Sequence, residues 1–177
     1  METKIFEIIS SQSSIEWIGR KVTGAHDGTI DIKSGTLTLN NGELSFGKFI
    51  IDTTSIKNLD MDDPDLHSKL LHHLAADDFF ASDKYPTSTF EITSATSADT
   101  KNYHIEGKLT IKGITHPISF NAIINVNQAE LTANGKITID RTKFNMKFRS
   151  GSFFKDLADT LIYNDFDLIV NITAKPI

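Results

Sequence analysis

The sequence predicts an all-β protein: an antiparallel barrel or sandwich of about eight strands, with one helical insertion between the third and fourth. Three observations carry that prediction. Apolar residues alternate with period two through most of the 177 positions, the mark of strands that bury one face. Short polar turns separate the alternating runs. Only the stretch beginning at Asp63-Pro64 changes to helical spacing.

The strands follow in chain order. Residues 14–22 place Ile15 and Trp17 on one face. Across residues 28–40, Ile30 and Ile32 hold one parity while Leu37 and Leu39 hold the other, so a β-bulge is predicted at Ser34-Gly35. Asn40-Asn41-Gly42 reads as a hairpin turn, because Asn and Gly accept the positive φ such turns require. In residues 43–53, Leu44, Phe46 and Ile50 are in phase. Further alternating runs occupy residues 87–95, 102–111, 115–126, 130–140 and 166–175. The helix has Asp63 as N-cap and Pro64 in its first turn, with Leu66, Leu70, His73 and Leu74 recurring within residues 64–81. No linker or repeat divides the chain, so residues 1–177 are read as a single domain with a short N-terminal extension over 1–13.

Composition narrows the function. Hydrophobic residues make up 39% and charged residues 23%, which are values of a folded globule. The net charge of −5 offers no basic surplus for a phosphate backbone, so nucleic acid is not an expected partner. Cysteine is absent, which removes disulfides, thiolate metal sites and cysteine nucleophiles together. The first ten residues have no apolar run of leader length, which sets the expectation of a cytoplasmic protein, or a periplasmic one if a leader has been removed. No 18 apolar residues run together, so no membrane-spanning helix is expected.

Leu70-Leu-His-His-Leu74, Asp78-Phe-Phe80 and Lys84-Tyr-Pro-Thr87 to Phe90 form a first motif. Gly107-Lys-Leu-Thr-Ile-Lys-Gly-Ile-Thr-His-Pro117 and Asp140-Arg-Thr-Lys-Phe144 form two more. In this order, and over a likeness running from about Ile15 to the end of the chain, they resemble the YceI-like family. Asn145 stands where many members have glycine. The resemblance implies a bacterial, lipocalin-like, eight-stranded antiparallel barrel. It also implies a tunnel that encloses a long polyisoprenoid chain, often in a homodimer, and it brings no catalytic residues. An apolar face near Leu71 and Phe79 is a candidate for the dimer contact.

The residues expected to line the interior are Trp17, Phe46, Phe90, Ile105, Leu109, Phe120, Ile137, Phe144, Phe166 and Leu168. Alternation alone suits a solidly packed barrel or a hollow one that holds a ligand, and the resemblance favours the hollow form. The alternatives are a packed-core stress-response or interaction domain, and an enzyme built on His26, His116 or the cluster His67, His72 and His73. Histidines five apart, or adjacent, do not share a helix face, so a zinc site is not expected. Their position near the helix end, with aspartates at its start, instead complements the helix dipole. His26 beside Asp27 suggests a base and its orienter, although neighbours in a turn rarely aim at one point. No Gly-x-Ser-x-Gly elbow, phosphate-binding glycine loop or His-Glu-x-x-His occurs, and no cofactor is expected beyond an isoprenoid-type lipid as ligand. Arg20, Lys21, Arg141, Lys143 and Arg149 are candidate cations for a ligand head group at the barrel mouth.

Overall fold

A computed structural model of the chain describes residues 2–148, 150 and 161–177. Its strands are β1 (Thr3–Ile8), β2 (Ser14–Lys21), β3 (Gly24–Asn40), β4 (Glu43–Asn58), β5 (Thr87–Ser97), β6 (Asn102–Ile111), β7 (Ile114–Val126), β8 (Leu131–Asp140) and β9 (Ile162–Pro176). Helix α1 (Pro64–Ala75) lies between β4 and β5. Every pairing is antiparallel; β2 through β9 pair in succession, and β9 returns to β2. Eight strands therefore close into a barrel, each paired on both sides along part of its length.

The N-terminal segment corrects the expectation of an extension over residues 1–13. β1 pairs with residues 36–40 of β3 and 174–176 of β9, whereas β2 uses the opposite halves of the same two strands. The two short strands share one place in the wall and are joined by the 3-10 turn Ser10–Gln12. β1 turns Phe6 and Ile8 inward, and with Leu131 and Ala174, all nearly inaccessible, they close that end of the barrel.

Turns and bulges set which side chains face inward. Asn41 and Gly42 adopt φ of 51° and 84° between β3 and β4, and Lys112 and Gly113 adopt 56° and 73° between β6 and β7. These are primed hairpin turns, whose twist matches that of the strands they join. In β3 the ladder slips between Ile32 and Ser34, next to the predicted bulge, and returns Leu37 and Leu39 to the interior with Ile30 and Ile32. Two further slips were not foreseen, one between Thr29 and Asp31 and one between Thr38 and Leu39. Thr38 faces Phe46 while Leu39 faces Leu44, so Ser45 is an extra residue in β4. Its hydroxyl donates to the Thr38 carbonyl at 3.2 Å and accepts from the Asn40 amide at 3.0 Å. Beyond Ser45 the parity reverses: Phe46 points out and is 40% exposed, whereas Phe49 is buried.

The helix begins as its sequence dictates. The Asp63 carboxylate accepts from the N–H groups of Asp65 and Leu66 at 2.9 and 3.3 Å, and Pro64 occupies the first turn, where no N–H is needed. It ends at Ala75 after about three turns, and the rest of the helical insertion expected over residues 64–81 folds, with residues 82–85, into tight turns. The Phe79, Ala81 and Tyr85 N–H groups reach back to carbonyls there, and Ala81 sits at φ 48°. Asn145 sits at φ 60°, a left-handed position that glycine fits freely and asparagine tolerates. This accounts for the Asn-for-Gly exchange noted in the third motif.

Trp17 depends on the absence of a side chain across from it. Its indole N–H donates to the Lys57 carbonyl at 3.0 Å, and its ring crosses Gly28. A Cβ on Gly28 would lie 1.7 Å from that carbonyl oxygen and 2.7 Å from the indole ring. Gly28→Ala is therefore expected to destabilise the fold by at least about 3 kcal/mol, since backbone rather than a flexible side chain must yield. Denaturant unfolding checks this, and a loss below about 1 kcal/mol would contradict it.

Candidate functional site

The inward faces of the strands do not meet across the barrel. They enclose a cavity of about 240 Å³, many times the roughly 10–15 Å³ that one water needs by the same measure. β2 contributes Ile15, Trp17 and Gly19, β5 contributes Ser88, Phe90 and Ile92, and β9 contributes Phe166, Leu168 and Val170. Leu70 and Leu74 of α1, followed by Phe79 and Phe80, cover one end. Of the expected lining residues, Trp17, Phe90, Ile105, Leu109, Phe120, Ile137, Phe166 and Leu168 border the cavity. Phe46 does not, because of the Ser45 bulge. Phe144 does not either: it is 1% exposed but packs edge-on to the His116 ring, 5.4 Å between centroids.

Two glycines shape the chamber. Gly107 faces inward beneath Phe90, and a Cβ there would come within 2.5 Å of that ring. Its absence lets Phe90 lie flat on the wall, where its centroid is 5.9 Å from Phe49 and 5.7 Å from Phe120. Gly19 is different. It is in phase with Ile15 and Trp17, borders the cavity, and a Cβ built on it meets nothing within 4 Å.

The helical end carries most of the polar lining, Arg20, Lys21, His26, Arg141, Tyr163 and Asp165; Asn134 of β8 and Ser88 of β5 are further polar lining residues. Tyr163 and Asp165 are exposed, and Arg20, Lys21 and His26 are half-exposed, so the cavity reaches solvent here. Arg141 is 3% exposed, and its Nε, Nη1 and Nη2 donate to the carbonyls of Tyr163, Met146 and Ile162 at 3.0, 2.5 and 3.0 Å. Its guanidinium also lies 5.7 Å from the centre of the Phe79 ring. Burial pushes its pKa downward, against the pull of Asp140, yet guanidinium stays charged. One buried cation thus ties the start of β9, the turn after β8 and the segment after α1 together. Arg20 is engaged too, with Nη2 2.7 Å from Asp167. Lys143 is exposed and outside the cavity lining; Arg149 lies outside the described residues.

The histidines are dispersed over β3, α1, β6 and β7. His26 Nδ1 donates to Asp60 at 2.8 Å, so its orienter is Asp60 rather than Asp27, which contributes its backbone N–H to the same carboxylate at 3.0 Å. Burial alone would raise the Asp60 pKa, but hydrogen bonds from His26, Asp27 and Asn58 outweigh it and hold the carboxyl below its ordinary value. His73 is wedged between Phe79 and Phe148, and His67 faces the Met61 carbonyl. Among the described residues no group of three metal-ligating side chains converges. Phe79, considered for a dimer contact, is 9% exposed beneath His73 and Arg141 and is not available as a docking surface.

Closed antiparallel strands around an apolar chamber, with a helix over one end, define a lipocalin-like barrel. The chain belongs to the YceI-like domain family, which matches residues 6–174. It is similar to Protein YceI of Escherichia coli, 27% identical over 147 residues, covering 82% of this chain and 71% of that protein. A UPF0312 protein of Pseudomonas putida is 37% identical over 59 residues, which are 33% of this chain and 31% of that relative's length. Among solved structures, Burkholderia cenocepacia BcnA superposes with a TM-score of 0.74 at 20% identity, covering 94% of this chain and 98% of that one. A polyisoprenoid binding domain from Saccharophagus degradans superposes with a TM-score of 0.69 at 10% identity, covering 96% and 97%.

The Asp167 network at the rim generates a pH expectation. Burial pushes this carboxyl upward, but hydrogen bonds from Thr138 and Arg20, with the charges of Arg20 and Lys136, bring it below its ordinary value. Its stabilising contribution is present above about pH 4, the unfolded pKa, and is lost as pH falls through the lowered folded value. Asp167→Asn is expected to cost about 1–2 kcal/mol at neutral pH and to flatten the stability profile below pH 4. Urea titrations from pH 2.5 to 7 check both, and identical slopes for the two proteins would contradict the assignment.

Proposed function

We propose that this protein is a non-catalytic carrier that encloses a long apolar chain, a polyisoprenoid, within its barrel. The observation that carries the reading is the chamber itself: an apolar hollow of about 240 Å³ left open by side chains in ordinary strand geometry. A chain that enters takes its own surface and the apolar wall out of water, gaining ~0.8 kcal/mol for each buried CH₂, so tight binding needs few polar groups. The family membership and the polyisoprenoid binding domain of matching fold support this choice of ligand. The open chamber weighs against a packed-core interaction domain. The scattered histidines weigh against an enzyme.

The polar end of such a ligand belongs at the helical end, where the lining is polar and reaches solvent, and its tail runs toward Leu37, Leu44 and Ile105. Gly19→Leu provides the test. A side chain there projects into open space, and replacing an extended glycine also lowers the entropy of the unfolded chain, so the variant is expected to fold at least as stably. Organic extraction of the purified wild type, followed by mass spectrometry, is expected to release a long prenyl chain that Gly19→Leu retains at least about tenfold less, the equivalent of 1.4 kcal/mol. Equal retention in a folded Gly19→Leu protein, or no extractable apolar chain together with no uptake of added prenyl lipid, would reject the reading.

A further inference from the structure

Ser88 is the second residue of β5, in phase with Phe90 and Ile92 and cross-strand from Ile51. It borders the cavity and is 5% exposed, and its hydroxyl is buried without a hydrogen-bond partner. Buried hydroxyls almost always find a partner, because an unmade hydrogen bond leaves the group desolvated for nothing in return. A resident water does not supply the answer, since it needs two to four polar partners. Around Ser88 the inward neighbours Ile51, Phe90 and Ile92 are apolar.

We propose that the Ser88 hydroxyl is the polar contact for the ligand, donating to an uncharged oxygen, a ketone, amide or alcohol, that terminates or interrupts the apolar chain. This rests on the binding function above and names the head-group chemistry. Ser88 stands at the helical end, one residue inside the start of β5, where the polar end of the ligand belongs. The head group is uncharged because both arginines nearby are committed and Lys21, also at this end, stands half-exposed in water. Arg141 donates to three carbonyls and Arg20 to Asp167. An ionised group would lose its hydration and gain one neutral hydroxyl. Period-two phase with Phe90 places Ser88 inward, so the preference for an oxygen-bearing ligand is built into the wall and not into a loop.

The test compares three probes on the whole protein: farnesylacetone, the hydrocarbon in which a methylene replaces its carbonyl, and farnesyl phosphate. Each displaces a fluorescent apolar probe from wild type, Ser88→Ala and Ser88→Thr. Ser88→Ala is expected to weaken farnesylacetone about 5–10-fold, the loss of one hydrogen bond to a neutral acceptor, while hydrocarbon affinity stays within about twofold. The carbonyl stretch of bound farnesylacetone is expected to move to higher frequency in Ser88→Ala and to return in Ser88→Thr, which keeps the hydroxyl. An unchanged ketone-to-hydrocarbon ratio, or an unmoved carbonyl band, overturns the Ser88 contact and leaves the carrier function standing. Farnesyl phosphate binding more tightly than the ketone overturns the uncharged head group. Wild type that binds none of the three overturns the carrier function, and the Ser88 contact with it.

Discussion

Closure of the backbone ladder is the constraint on which everything else rests. β9 is the long strand that accomplishes it, pairing with β8 on one side and with β1 and β2 in tandem on the other. Where the strands of the shut ring pair, their N–H and C=O groups are bonded within the wall and do not require a filled interior to be satisfied. That separation of duties permits a hollow. An open sheet of the same residues would have to fold over and pack its apolar face to hide it, and the chamber would vanish.

The two ends of the ring are treated differently, and the difference gives the chamber a direction. At one end Phe6 and Ile8 of β1 reach inward, so the seal is made of side chains from the wall itself. At the other, the cover is α1 with the segments that follow it and follow β8, gathered by a single buried guanidinium at Arg141. Side chains in a strand ladder move little. A cover held by hydrogen bonds from one side chain to three carbonyls is a smaller cooperative unit, and its opening costs less than opening the wall. On the carrier reading proposed above, a ligand enters at the end where the lining is also polar.

Glycines and bulges do the fine shaping. Gly28 and Gly107 are places where an aromatic ring lies against bare backbone, Trp17 on one and Phe90 on the other. Flattened against the wall, these rings contribute apolar surface without crossing the bore. Gly19 leaves space where a side chain would have projected, and the bulge at Ser45 turns Phe46 out of the interior. Each device removes volume from the interior, and together they keep the chamber open in a chain with 12 phenylalanines.

The sequence by itself determined eight strands (but not β1), the helix with its Asp63-Pro64 start, the hairpin at Asn41-Gly42 and eight of the ten residues expected to line the interior, because all of these follow from local rules: period, capping and turn chemistry. The Ser88 position is legible by the same rule, as the residue two before Phe90, although nothing local says that its hydroxyl lacks a partner. What only the tertiary structure decided is everything that depends on two distant strands meeting. The Ser45 slip arises from the match of β4 to β3 and reverses Phe46 against its own alternation. The use of β1 to seal an end requires residues 174–176. The partner of His26 is Asp60, 34 residues away, and not its neighbour. Whether inward rows interlock or stand apart is set by the circumference of the closed ring, a property of all eight strands together that no single run of residues carries.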